Sequence, residues 1–321
     1  MSPSLKSQTL RIFISIVAFA AIFFIFRDKI PHTIEILRSG ISWKFIVFGF
    51  FSYLTAIGLL ALRLQIILKA QNEHLSWWKL FQFSWVGLFF NFFLPSAVGG
   101  DIAKGYFIYK TTGNKITAST AVLIDRLMGF FAVMLIALIG ILVSHQEVNP
   151  GILIFILTFI LILALLVTFF LNKTLAEKLV CFKKLVGEKI AKALADIYQA
   201  FHQYKHHPKE VALAIGLSIV LQLIIILQTF FVVYSLGDFI SFWILLVLMP
   251  LITIASMAPS LGGLGVREMG SVYFLKAYVS EERALAISIL CDLIIYSVGL
   301  IGGIIFLFNK NLRMNDAEKN S

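Results

Sequence analysis

Charge is scarce in this chain. Only 14% of its 321 residues are Asp, Glu, Lys or Arg, against about 25% in ordinary globular proteins, so it lacks the polar surface of a water-soluble enzyme. Cysteine is scarcer: Cys181 lies in a Lys-rich segment and Cys291 in an apolar run, too few and too far apart for a disulfide framework. No Walker A loop, zinc-ligand spacing or Gly-x-Ser-x-Gly elbow occurs, and His206-His207 stands without further ligands nearby. No loop is long enough for a separate catalytic domain. The expectation is therefore a protein with no catalytic activity and no cofactor. What the chain does have is 60% hydrophobic residues and a mean hydropathy of +0.93, the composition of an integral membrane protein.

A helix needs about 20 apolar residues to cross a bilayer core. Six stretches qualify as full spans: 10–26, 45–62, 117–143, 151–171, 211–236 and 284–308. The first follows Lys6 and Arg11 and contains Ala18-Phe19-Ala20, like a signal peptide, but its apolar run continues through Phe26 and reads as an uncleaved span. Two further apolar regions, 81–109 and 239–279, are interrupted near the middle. The first breaks at Leu94-Pro95-Ser96-Ala97-Val98-Gly99-Gly100, the second at Ala258-Pro259-Ser260-Leu261-Gly262-Gly263-Leu264-Gly265. Both read as re-entrant helical hairpins. The fold class is thus all-α and polytopic, with about six full transmembrane helices plus two hairpins.

Lys and Arg orient the chain. With both termini inside a cell membrane, the cytoplasmic side collects Arg63, Lys69 and Lys79, then Lys104, Lys110 and Lys115, then the lysines between 173 and 209, and finally Lys310, Arg313 and Lys319. In that orientation one hairpin enters from inside and the other from outside. Residues 1–146 and 147–321 then repeat one order of elements, span, span, hairpin, span, in opposite directions. A Pro-Ser pair opens each break and a Gly-Gly pair follows; Asp125 comes after the first break and Asp292 after the second. Inverted repeats with interrupted helices at matching places are a signature of secondary transporters.

Irregular backbone at membrane depth survives only against protein or a wet cavity. The residues after each Gly pair start a half-helix whose free N–H groups and positive dipole end suit phosphate or carboxylate. Pro95, Gly99, Gly100, Asp101 and Lys104 of the first break, and Pro259, Gly262, Gly263, Arg267 and Glu268 of the second, are therefore candidate substrate-binding residues. In this reading Gly99 and Gly100 let an anion approach the backbone, and Asp101 caps the helix. Asp125 and Arg126 add charges inside a span, where each costs roughly 2.5 to 3.5 kcal/mol on insertion scales. One of them is expected to meet Arg267 or Glu268 across the repeat interface. Asp292 stands where a basic or neutral residue is expected, and no role is assigned to it. The alternative is that these charges snorkel and tie helices together.

Between 173 and 208, apolar residues recur every three or four positions with lysines between them. This predicts a basic amphipathic helix on anionic lipid at the cytoplasmic leaflet. The net charge of +10 is accordingly assigned to a membrane surface and not to nucleic acid.

The run from Asn91 to Lys104, then Asp125-Arg126-Leu127, and later Pro259 to Glu268 resemble the lysylphosphatidylglycerol synthase transmembrane region family, also called flippase-like domain proteins. The resemblance covers nearly the whole chain and implies a protein that moves lipids or lipid-linked molecules between leaflets. Where the family commonly has Arg and Glu, this chain has Lys104 and Asp125, which keep the charges. Full-length synthases add a soluble aminoacyl transferase domain; with 13 residues after Phe308, lysyl transfer is not expected. The partners implied are a phospholipid or lipid-linked substrate and either a second copy of the chain or a lipid-modifying enzyme. A membrane enzyme or accessory subunit acting on lipid or lipid-linked glycan remains the alternative.

Overall fold

The computed structural model describes residues 29–38, 40–93, 99–144, 150–171, 198, 202–256 and 265–309. The predicted first span 10–26, both break centres with Pro95, Pro259, Gly262 and Gly263, and most of the predicted amphipathic segment 173–208 lie outside these residues. Among the described residues there are ten α-helices and no strand: α1 (Ile30–Arg38), α2 (Trp43–Lys69), α3 (Trp77–Phe93), α4 (Gly99–Thr112), α5 (Lys115–Ser144), α6 (Pro150–Leu171), α7 (Pro208–Ser235), α8 (Phe242–Ala255), α9 (Val266–Leu275) and α10 (Glu281–Phe308). A backbone in lipid must satisfy its own hydrogen bonds, and helix is how an unbranched segment does so. The molecule is an all-helical, multi-pass membrane protein. Four helices, α2, α5, α7 and α10, are long and apolar enough to cross a bilayer; α3, α4, α8 and α9 are shorter and fall in the two interrupted regions.

Local chemistry sets the ends. Gly113 takes φ +71° after α4, the left-handed conformation that stops a helix. Asn114 then caps α5, its Oδ1 accepting from the N–H groups of Ile116 at 3.0 Å and Thr117 at 3.2 Å. This two-residue turn lays α4 antiparallel beside α5. Pro208 opens α7 where its missing N–H costs nothing, and Ser280 caps α10 by accepting from the Arg283 N–H.

The halves pack alike. α2 and α7 form the most extensive interface; α3 lies against α4 and α10, and in the other half α8 lies against α9 and α5. α4 rests on α5 as α9 rests on α10. α2 and α7 run antiparallel: the Ser42 N–H donates to the Ser235 carbonyl at 2.8 Å, Phe45 stacks near Phe231, and Arg63 reaches Ser218. Beyond this register, the Tyr204 hydroxyl donates to the Ile67 carbonyl at 2.9 Å and accepts from Gln71 at 2.6 Å. Burial pushes the Tyr204 phenol up from its ordinary pKa.

Lipid offers no hydrophobic force between helices, so close packing must hold them. On α10, a Cβ at Gly299 would strike the Phe92 ring, at Gly302 the Trp85 carbonyl, and at Gly303 the Phe89 ring. These small residues seat α3, and the Trp85 indole N–H donates to the Val298 carbonyl at 2.5 Å.

Candidate functional site

The α4–α5 turn brings four of the predicted residues together. Asp101 and Lys104 share one face of α4, and Asp125 and Arg126 stand opposite on α5. Lys104 Nζ lies 3.1 Å from Asp101 Oδ1 and 3.3 Å from Asp125 Oδ2. Asp101 also pairs with Arg126. A fifth member comes from α2: Arg63 Nε donates to Asp125 Oδ1 at 2.7 Å, and its Nη1 donates to Ser218 Oγ of α7 at 2.9 Å. Arg63, Asp101, Lys104 and Asp125 are all buried, whereas the Arg126 side chain keeps 29% of its surface exposed. Charges so placed persist only when paired, and here they alternate in sign along the chain Arg63, Asp125, Lys104, Asp101, Arg126. Among the described residues named here, three are cations and two are anions. One turn beyond Ser218, the buried Gln222 amide nitrogen has no hydrogen-bond partner among the described residues.

A second cluster forms where α9 meets α10. Arg267 pairs with the buried Asp292. Glu268, also buried, accepts the Gly265 N–H at 2.5 Å; Gly265 has φ +93°, a conformation that favours glycine. Asp292 also acts electrostatically on Glu268. Tyr53 of α2 and Tyr296 of α10 are electrostatic neighbours of Arg267, and the Tyr296 hydroxyl is buried without a hydrogen-bond partner among the described residues. Among the described residues named here, one is a cation and two are acids.

The clusters correspond residue by residue. Asp101 and Arg126 are 25 positions apart, as are Arg267 and Asp292, and each second partner sits at the same depth in its long helix. The buried contacts Arg63–Asp125 and Thr229–Cys291 are both 62 apart. One shift of 166 in numbering relates each of these four residues to its counterpart. α2 carries a member of each cluster, Tyr53 and Arg63; ten residues at 1.5 Å rise put the clusters about 15 Å apart along the helix.

Several expectations change. Arg63 and Lys104, assigned from sequence to the cytoplasmic ends of their segments, are buried inside the helix packing because α2 continues to Lys69 and α4 turns its charged face onto α5. Asp101 does not cap α4; it lies within the first turn and holds Lys104 and Arg126. Gly100 serves packing: a Cβ there would hit the Gly87 carbonyl, and its N–H donates to Asn91 Oδ1 at 2.5 Å. Gly99 and Gly100 are both already helical. Asp125 is held by Arg63 and Lys104, and Arg126 pairs with Asp101. Asp292, doubted from sequence, is the partner of Arg267. Sequence reasoning also missed Ser218, Tyr53 and Tyr296. For Arg63 a signal existed, since the apolar pattern resumes through Leu68 beyond it.

Residues 8–303 match the family described as the lysylphosphatidylglycerol synthase TM region. The chain is similar to a UPF0104 membrane protein of Pyrococcus horikoshii, 27% identical over 316 residues that cover 90% of this chain and 93% of the relative. No solved structure matches it.

Proposed function

The chain belongs to the lysylphosphatidylglycerol synthase transmembrane region family, and from that premise we propose that it moves a phospholipid or lipid-linked headgroup between leaflets of the cell membrane, performing no chemistry of its own. The observation that carries this reading is a row of alternating charges inside the helix packing, Arg63, Asp125, Lys104 and Asp101, that ends on the partly exposed Arg126. A phosphate would arrive at the exposed part of Arg126. It would exchange one charge-assisted pair for another, while the acyl chains stay in lipid.

The halves act as inverted repeats that rock against each other around α2 and α7. Their antiparallel packing and the single numbering shift relating the clusters support this arrangement. Headgroups then pass between two polar stations about 15 Å apart, half of a hydrocarbon core of roughly 30 Å. The interrupted regions α3–α4 and α8–α9 serve as re-entrant hairpins. Both termini lie inside, and the 173–208 segment rests on anionic lipid of the inner leaflet.

Purified protein in vesicles containing a fluorescent phosphatidylglycerol tests the proposal. Leaflet exchange above that of protein-free vesicles, reduced by Arg126→Ala, is expected. A chemically altered lipid points instead to an enzyme, and absence of both outcomes rejects the transport reading.

A further inference from the structure

The end of α2 is built as a rigid corner. Asn72 takes φ +62°, and the N–H groups of Asn72 and Glu73 donate back to the carbonyls of Lys69 and Leu68, each at 3.0 Å. This paired closure ends the helix and reverses the chain. Gln71 fixes the corner to the second half of the molecule through the Tyr204 hydroxyl at 2.6 Å. From there residues 73–76 run back beside α2: Gln65 Nε2 donates to the Leu75 carbonyl at 2.9 Å, and the Trp77 indole N–H reaches the Gly58 carbonyl at 3.0 Å. Between the helix and this returning segment lies a cavity of about 520 Å³ whose polar lining is Gln65, Lys69, Glu73, His74 and Ser76. Small-molecule sites occupy roughly 300–1,000 Å³, so a lipid headgroup fits the space.

Its place in the fold is the rim of a helix long and apolar enough to cross a bilayer, since α2 ends at Lys69. Directly after Ser76 the rings of Trp77 and Trp78 stand 38% and 57% exposed and stack on Phe81. Exposed Trp at a helix end marks the level of lipid headgroups. The lining carries both signs, and among the described residues Lys69 and Glu73 do not pair with each other. An anionic headgroup would find Lys69 but meet the Glu73 carboxylate. A zwitterion satisfies both: its phosphate accepts from Lys69, His74 and Ser76, while a primary ammonium a few bonds away donates to Glu73 and to the Gln65 amide oxygen. A trimethylammonium has no N–H to donate, and no Phe, Tyr or Trp lines the cavity to receive it through a ring face.

We propose that this cavity binds the headgroup of an aminophospholipid of the phosphatidylethanolamine type, its phosphate on Lys69 and Ser76, its ammonium on Glu73, and its acyl chains against Trp77 and Trp78. The proposal does not depend on the transport reading. Native mass spectrometry of the purified full chain, titrated in detergent with phosphatidylethanolamine, phosphatidylglycerol and phosphatidylcholine in turn, tests it. Phosphatidylethanolamine is expected to bind more tightly than either of the others. Glu73→Gln weakens it about tenfold, the loss of one charge-assisted hydrogen bond, and abolishes the preference without weakening phosphatidylglycerol. Lys69→Gln weakens all three lipids, and Arg126→Ala leaves the preference intact. Absence of a preference in the wild type, phosphatidylglycerol bound above phosphatidylethanolamine, or a preference that survives Glu73→Gln overturns the site. So does binding unmoved by Lys69→Gln, or a preference lost in Arg126→Ala, which would put the lipid at the first charged cluster. Failure of leaflet exchange in vesicles rejects transport and leaves every one of these binding results to stand or fall alone.

Discussion

At positions related by one numbering shift, the first half of the molecule places Arg63 against Asp125 and the second places Thr229 against Cys291, the same 62-residue separation bridged once by a charge pair and once by a thiol and a hydroxyl. Beside them, Asp101 on a short helix holds Arg126 on a long one, while in the second half the short helix carries Arg267 and the long one Asp292. Architecture is kept and polarity reversed. The cradle of half-helix against long helix fixes where a charge can be buried, and the side chains choose its sign independently. The first half thus sets the partly exposed Arg126 on its long helix, the second the buried Asp292.

The comparison breaks most visibly at the positions that differ most. Asp125→Ala leaves Arg63 and Lys104 short of a buried partner and is expected to cost about 3–5 kcal/mol, whereas Cys291→Ala at the matching position costs roughly 1 kcal/mol. Thermal unfolding in detergent checks both, and equal losses would contradict the correspondence. Giving the first half the residues of the second, Arg63→Thr with Asp125→Cys, removes both charges together. The double variant is expected to lose about 1–3 kcal/mol less than the sum of the single changes. Gly302→Val drives a side chain into the Trp85 carbonyl and costs about 1–3 kcal/mol by overpacking, lowering the unfolding midpoint with the ion pairs intact. Arg126→Ala slows exchange of an anionic lipid probe about tenfold, the loss of one charge-assisted phosphate contact, and erases the preference for anionic over zwitterionic probes; Arg267→Ala keeps that preference. The smallest effect belongs to Arg283 and Asp238, 2.7 Å apart with Arg283 39% exposed. Arg283→Ala is expected to cost about 0.2–1 kcal/mol, and a larger drop in midpoint would show that rim pairs matter as much as the buried clusters.

The helices were legible in the sequence because a bilayer leaves few choices: long apolar runs became α2, α5, α7 and α10, and Pro and Gly marked the interruptions. Charges inside those runs, Asp125 and Arg126, announced a site for the same reason. Their partners were not legible. Spacing along one helix fixes a face but not its neighbour, so Asp125 gave no hint of Arg63, 62 residues earlier in the chain. Arg63 itself was hidden by reading a charge after eighteen apolar residues as the end of a span, when α2 runs six residues further. From sequence Asp292 was matched with Asp125, one aspartate after each break; the shift of 166 instead sets it at the place of Arg126, and its pairing with Arg267 shows that the charges have traded sides. Helix α1 was missed because its nine residues lie in a stretch with charges every few positions.

Since α2 and α7 touch from Ser42–Ser235 at one end to Arg63–Ser218 towards the other, peptide continuity between the halves contributes little to keeping them assembled. Two separately encoded fragments, divided in the 173–197 stretch and co-expressed, should find each other in the membrane and copurify. Isotopes or fluorophores can then be introduced into one fragment while its counterpart stays unlabelled.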